Sequence, residues 1–200
     1  MRKTLVIVVL TIVVAAAVGL HRLAQRGFSA REQPSALETS IAGTLRDWGV
    51  PGPYRQMANP VACSDAAVAE GRAHWADHCA TCHSNNGSGD TMFGRGMYPK
   101  PPDMRQDLTQ QQSDGRLYYT IKNGVRLSGM PAFGDPGDQD IDTWKLVCFV
   151  RRLPRLTFEQ EQQMKKMNPK TPDDLEEERQ EEQFLNGGAA PAPEGYHHHQ

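Results

Sequence analysis

The 200-residue chain has little net charge, few apolar residues for its length and no pattern typical of β-structure. Its formal charge of −2 excludes the concentrated basic surface on which nucleic-acid binding depends. Hydrophobic residues make up only 38% of the chain, whereas globular domains usually contain about 45–50%, so a second large fold is excluded. Apolar and polar residues nowhere alternate as they do in a strand, and no segment repeats another. These absences leave a small all-α protein.

The charges that are present are divided unevenly along the chain. Residues 1–60 carry 7 basic and 3 acidic side chains, residues 61–153 carry 10 and 11, and residues 154–200 carry 5 and 10. All four cysteines lie in the balanced middle part. We therefore expect the folded domain in the middle of the chain.

Composition divides the chain into five expected segments. Glycine and proline interrupt the region before the cysteines too often for regular structure beyond one short helix, from Ser35 to Trp48. Gly, Ala, Pro and His dominate the C-terminal end, which is typical of disorder. The segments are residues 1–21 as a transmembrane anchor or signal peptide, 22–61 as a linker, 62–153 as the folded domain, 154–185 as a charged helical extension and 186–200 as a disordered tail.

The N-terminus begins with Arg2 and Lys3 and then runs without a charge from Thr4 to Leu20. A helix of this length would be about 25 Å long, slightly shorter than a bilayer core of about 30 Å. Three interpretations are open: an uncleaved anchor, a signal peptide cleaved near the small residues 15–17, and a buried helix of a soluble protein. The segment is apolar on all sides, which disfavours the third. We favour the anchor.

Helix signals recur through the rest of the chain. Ser64 and Asp65 are good N-caps for a first helix, and Thr157 and Thr171 begin helices in the extension. Helices are expected at Ser64–Ala76, Gly115–Lys122 and Asp138–Arg152, with loops at Ser84–Asp114 and Asn123–Gly137.

Residues 79–83 read Cys-Ala-Thr-Cys-His, the C-x-x-C-H sequence by which c-type haem is attached. The thiols of Cys79 and Cys82 would add across the two vinyl groups of haem, and the two residues between them set their separation. The imidazole of His83 would then ligate the iron. The pentad therefore predicts one covalently bound haem c.

The C-x-x-C-H pentad has three other interpretations. A structural zinc site needs two more ligands at suitable spacing, but Cys63 and Cys148 are isolated. A thioredoxin-like redox pair needs a βαβ unit, and no strand is expected. A plain disulfide would leave His83 without a purpose. The haem interpretation is favoured over all three.

The residues around the pentad carry a family resemblance. Gly71 lies in the preceding helix, where a close helix crossing would need no side chain, and Phe149 in the last helix is a suitable partner. Gly129-Met130-Pro131 lies in the loop before that last helix. With the pentad, these features resemble monohaem class I cytochromes c over about residues 62–153. Ser84, which follows His83, stands where that family often has glycine.

The resemblance implies an all-α class I cytochrome c fold around one haem. It also implies an extracytoplasmic location, at the periplasmic face of a membrane, because this type of haem attachment occurs outside the cytoplasm in that family.

The second axial ligand of the iron decides the function. Of the eight methionines, Met92, Met97, Met104 and Met130 lie where one could reach a haem, and each could equally fill a gap in the core. Only Met130 is held between glycine and proline, so we favour Met130 together with His83 as the metal ligands. A thioether opposite an imidazole raises the reduction potential and fills the sixth position.

These features predict an exported, membrane-tethered cytochrome that carries single electrons between respiratory or dehydrogenase partners and is not an enzyme. Two alternatives stay open: a haem subunit docked in a larger oxidoreductase complex, and a ligand-binding or catalytic haem protein. A backbone carbonyl of Pro99, Pro101 or Pro102 is a candidate to accept a hydrogen bond from His83 Nδ1. The residues His197–His199 are a candidate for weak metal binding. Tyr98, Arg95, Arg126 and Trp144 are further candidates for contact with the haem propionates.

Cys63 and Cys148 are not needed for haem attachment, and an oxidising compartment favours a disulfide between them. Two objections keep the question open. Cys148 suits a buried apolar position, and Cys63 lies about eight residues from the expected helix crossing at Gly71.

Overall fold

The computed structural model describes residues 2–27, 29–137 and 140–187, which contain eleven α-helices and no strand. An all-α fold is therefore confirmed for these residues. The last helix of the folded domain is expected to begin at Asp138, which lies outside the described residues. Met1 and residues 188–200 of the predicted tail, which include His197–His199, also lie outside them. The helices are α1 (Arg2–Arg26), α2 (Ala36–Gly49), α3 (Gly52–Arg55), α4 (Asp65–His74), α5 (Ala80–His83), α6 (Met92–Arg95), α7 (Asp107–Gln110), α8 (Asp114–Asn123), α9 (Ile141–Val150), α10 (Phe158–Lys165) and α11 (Pro172–Leu185).

Side-chain caps begin most of the longer helices. The Ser64 hydroxyl accepts from the backbone N–H of Ala67 at 3.2 Å at the start of α4. Ser35, Thr157 and Thr171 each complete a capping box at the start of α2, α10 and α11. The buried Asp140 carboxylate caps α9 by accepting from the N–H of Thr143 at 2.9 Å. The first residue of α9 is therefore Ile141.

Helix α1 is long and apolar enough to cross a membrane, and none of its apolar stretch is buried against the rest of the described chain. It continues past Leu20 to Arg26, because residues 22–26 (Arg, Leu, Ala, Gln and Arg) are all good helix formers. The lack of burial disfavours the interpretation of this segment as a core helix of a soluble protein.

The expected linker is partly structured. Residues 52–55 form the single turn α3, where a loop was predicted, and the Tyr54 ring lies 5.0 Å from the Tyr119 ring and 6.2 Å from the Tyr118 ring, centroid to centroid. Pro51 and Pro53 favour this turn, since proline is well placed at the start of a helix. This part of the chain packs on the folded domain.

The charged extension also begins inside the domain. Met164 of α10 is completely buried in the core cluster. When the side-chain amide of Asn168 is oriented so that both its oxygen and its nitrogen have hydrogen-bond partners, its Nδ2 atom donates to the backbone carbonyl of Ala76 at 3.1 Å. Residues 52–168 thus form one packed unit, called the central domain below.

The crossing of α4 and α9 is the tightest contact in the central domain. A Cβ atom on Gly71 would overlap the backbone carbonyl of Lys145, so glycine is the residue that allows the two backbones to touch. The expected partner Phe149 meets α4 one turn later, where its ring lies 5.6 Å from that of Trp75. The predicted crossing at Gly71 is confirmed, with Lys145 at the point of contact.

Cys63 and Cys148 form a disulfide, with their Cα atoms 5.3 Å apart. Cys63 precedes α4 and lies in a segment that runs across α9, where the Asn59 amide donates to the Trp144 carbonyl at 3.1 Å. The distance of Cys63 along the chain from Gly71 is therefore no obstacle to the bridge.

We expect Gly71→Ala to lower the free energy of unfolding by about 2–3 kcal/mol, because the added methyl group meets backbone that cannot rotate away. Thermal denaturation of the purified chain measures the effect. Gly43→Ala in α2 is the matched control, since a Cβ there meets nothing within 4 Å. An equal melting temperature for Gly71→Ala and the wild type would contradict the close crossing.

We expect Cys63 and Cys148 to resist alkylation in denatured protein until a reductant is added, because both sulfur atoms are in the bridge. Mass spectrometry of alkylated peptides, with and without prior reduction, is the measurement. The bridge closes a loop with a sequence separation of 85, for which chain entropy gives about 4–5 kcal/mol of stabilisation. Alkylation of both residues without reductant would show that they are only packing residues.

Candidate haem-attachment site

The pentad begins inside a local irregularity in the helix that carries it. Residues Trp75–Cys79 form a π-helical turn between α4 and α5, and the N–H of Ala80 bonds to the carbonyl of Trp75. Such turns are rare and are frequent at functional sites. No sequence signal predicted it. The turn rotates α5 relative to α4 and so sets where Cys79, Cys82 and His83 lie.

The two thiols of the pentad are unpaired, since the disulfide uses the other two cysteines. Cys79 is buried and Cys82 is partly exposed. Burial raises the pKa of Cys79 to about 12, and the neighbouring Cys82 adds to the shift. Burial also raises the pKa of Cys82. Both side chains are therefore neutral thiols at pH 7.

The imidazole of His83 is held in a largely apolar environment beside Trp75, whose ring lies 5.6 Å away. Burial lowers the pKa of His83 to about 4, so the ring is neutral at pH 7 and keeps a lone pair for a metal. Its Nδ1 atom is buried and has no hydrogen-bond partner among the described residues. A buried nitrogen without a partner is costly in a structural histidine.

Ser84 has a positive φ of 65° with ψ of 155°, a conformation that is nearly restricted to glycine. Its carbonyl accepts from Trp75 Nε1 at 3.0 Å, which holds the backbone there. The positive φ of Ser84 is the physical reason why glycine suits this position.

The segment around Met130 is a tight loop closed by its own hydrogen bonds. The N–H of Val125 donates to the Met130 carbonyl at 3.1 Å, and the N–H of Met130 donates to the Ser128 hydroxyl at 3.1 Å. Gly124 has a φ of 67°, and a Cβ atom there would lie 2.7 Å from the Met130 carbonyl oxygen. The side chain of Met130 packs against the core cluster that contains Cys79.

One contact relates the segment after Met130 to the pentad. The ring of Phe133 lies 6.4 Å from the ring of His78, the residue before Cys79. The pentad is also held by Thr91, whose hydroxyl donates to the Cys82 carbonyl at 3.3 Å and begins α6. Met130 as a ligand of the iron stays a prediction.

The other methionines lie in different environments. Met92 is 74% exposed, and Met104 is buried in the core cluster. Met97 lies beside the Met130 loop, since a Cβ on Gly129 would be 2.9 Å from Met97 Cε. Among these residues, Met130 combines a position against the core with a rigid loop.

One lesser expectation is not met in the structure. His83 Nδ1 has no hydrogen-bond partner among the described residues, and the Pro101 carbonyl lies against Gly89 instead. Trp144 is buried and stacked on Tyr118 with 4.0 Å between the ring centroids, and its contact with a propionate stays a prediction. Trp75, which was not singled out from the sequence, is the aromatic residue beside His83.

The donor set fits a haem c. Two neutral, unpaired thiols on one helical turn can form thioethers, and the adjacent neutral imidazole can ligate iron. Groups of three or more His, Cys, Asp or Glu side chains that could hold another metal ion do not occur in the described part of the chain. A structural zinc site at the pentad therefore lacks ligands there.

Residues 66–150 match the family profile described as cytochrome C oxidase, cbb3-type, subunit III. The match includes the pentad and the Met130 loop, whereas α1, α2, α10 and α11 lie outside it. A search of curated proteins finds no match to the chain.

We expect the double variant Cys79→Ala and Cys82→Ala to lose the haem that the wild type retains on a denaturing gel, because only covalent attachment survives denaturation. Haem staining of protein from a host that matures c-type cytochromes is the measurement. The variant Cys63→Ala with Cys148→Ala is the control and should keep its haem. Retained haem in the first variant would contradict attachment at the pentad.

Proposed function

Residues 66–150 are a class I cytochrome c domain, and we propose that the protein is an exported carrier of single electrons, tethered to the membrane by α1. The observation that carries the proposal is the pentad with two unpaired thiols beside a neutral, buried imidazole. When bound, haem c supplies one iron that is reversibly reduced by one electron.

The cysteines of the pentad have one role, which is covalent attachment. Each thiol would hold the haem through a thioether to a vinyl group, with the thiol proton passing to the other vinyl carbon. The raised pKa values of Cys79 and Cys82 keep both protons on sulfur before attachment. His83, beside Trp75 and the backbone of Ser84, would ligate the iron.

Met130 would complete the site as the second protein ligand of the iron. Its loop is fixed by the hydrogen bonds of Val125 and Ser128, so the thioether can be presented without rearrangement. A thioether opposite an imidazole favours the ferrous state and raises the reduction potential. Because both axial positions are then occupied by protein, oxygen and peroxide have no open position. This supports electron transfer over catalysis.

Two features support an extracytoplasmic location with a retained anchor. Helix α1 is long and apolar enough to cross a bilayer, and it leads directly into the rest of the chain. The Cys63–Cys148 disulfide suits an oxidising compartment. The central domain would then lie at the periplasmic face, on the C-terminal side of α1.

A docked haem subunit is the second candidate function. The matched family is described as a subunit of an oxidase, and that description supports a place in a larger complex for this chain too. Solubilisation in mild detergent followed by size measurement separates the two candidates. A free carrier elutes alone, whereas a docked subunit brings its partners with it.

We expect Met130→Ala to bind carbon monoxide in the ferrous state and to have a lower reduction potential than the wild type, because the variant loses the thioether ligand. Absorption spectra with and without the gas, and a redox titration, are the measurements. Met92→Ala is the matched control, since that side chain is exposed and should leave both properties unchanged.

A Met130→Ala protein that excludes carbon monoxide would assign the sixth position to another residue, with Met97 the first to be tested. Loss of stability alone, with an unchanged potential, would make Met130 a packing residue.

A further inference from the structure

Helix α2 has one apolar side that no other part of the described chain covers. Leu37, Ile41, Leu45 and Trp48 follow one another at spacings of four, four and three residues, so they lie on one face of the helix. Their exposed fractions range from 51% to 79%. Four large apolar side chains on one helix face are a substantial unpartnered surface for a soluble domain.

Three side-chain contacts hold α2 to the central domain, and none uses the apolar side chains. Arg55 Nη2 donates to the backbone carbonyl of Trp48 at 3.1 Å. The Tyr98 hydroxyl donates to the Glu38 carboxylate, which raises the pKa of Tyr98 to about 12 and keeps the hydroxyl protonated. The Arg116 guanidinium pairs with Asp47. The apolar face is therefore free while α2 remains attached.

The chain connects α2 closely to α1. Only residues 27–35 separate the two helices, and nine residues of extended chain reach at most about 30 Å. Anchoring of α1 therefore confines α2 to a thin layer next to the membrane surface. This confinement gives α2 a high effective concentration at the lipid surface.

The composition of the face matches a lipid interface. Trp48 lies at the C-terminal end of α2, and tryptophan is enriched where hydrocarbon meets headgroups. Helix α2 carries one basic residue, Arg46, against Glu38 and Asp47, so electrostatic attraction to anionic lipid is not what would hold it. Apolar burial together with the tether would provide the binding.

We propose that α2 lies in the membrane interface, with Leu37, Ile41, Leu45 and Trp48 inserted among the lipids, and that it fixes the orientation of the central domain at the membrane. The inference rests on the retention of α1 as an anchor. Its occupant is a lipid bilayer, which need not contain anionic lipid.

The orientation has a consequence for the haem site. Tyr98, which binds α2, follows Met97, and Met97 lies beside Gly129 of the Met130 loop. Insertion of α2 therefore holds this side of the central domain close to the membrane, within reach of redox proteins embedded there.

Tryptophan fluorescence tests the proposal in the full-length holoprotein. The chain has three tryptophans; Trp75 and Trp144 are buried in the central domain, and only Trp48 is exposed. The protein is reconstituted in phosphatidylcholine vesicles and, in parallel, in vesicles whose acyl chains carry bromine, a contact quencher. The ratio of the two emissions cancels any constant quenching within the protein.

We expect bromine to remove more than about half of the emission of Trp48, because an interfacial helix lies about 5–10 Å deep. Trp48→Phe should lose the bromine-sensitive component. Ile41→Glu with Leu45→Glu should also lose the sensitivity, while Thr39→Glu, on the opposite side of α2, should keep it.

Flotation of the same vesicles distinguishes failure of this inference from failure of the anchor. Protein that floats without bromine quenching overturns the insertion of α2 but leaves α1 as an anchor. Protein with an intact N-terminus that does not float overturns the anchor, and the inference with it. Trp48 emission that is the same with and without bromine but changes with protein concentration would show that a second copy of the chain covers the apolar face of α2. That result would overturn the proposal.

Discussion

The contact between the backbones of α4 and α9 at Gly71 is the constraint on which the rest of the central domain depends. Because no side chain separates the helices there, Trp75 and Phe149 meet one turn later and fill the core beside the pentad. Trp75 in turn contacts His83 and holds the carbonyl of Ser84. A single absent Cβ atom thus determines where the proximal side of the site lies.

Local signals predicted the parts of this arrangement that depend on neighbours in the sequence. The caps at Ser64 and Thr157 and the pentad each act within a few residues, so they could be recognised without a structure. Met130 was singled out for the same reason, since glycine and proline flank it. The glycine at the crossing was recognised from its own position in α4, whereas its contact Lys145 was not predicted. The agreement of these signals with one another is typical of a chain that specifies one fold.

Features that depend on distant packing were not predicted. The π-helical turn Trp75–Cys79, the docking of Tyr54 on α8 and the burial of Met164 all depend on what lies opposite them in the fold. Segment 52–61 reads as a linker because glycine and proline interrupt it, and segment 154–168 reads as an extension because its polar residues outnumber its apolar ones. A few apolar side chains in each, rather than a periodic stripe, attach them to the core.

In the function proposed here, this chain carries one electron at an iron that would be ligated by protein on both sides. A potentiometric titration of the wild-type holoprotein, performed once under argon and once under carbon monoxide, is the decisive experiment. We expect a single one-electron transition with the same midpoint potential in both gases. A midpoint potential that rises under carbon monoxide would mean that the gas binds the ferrous iron at an open position, so that protein does not fill both sides.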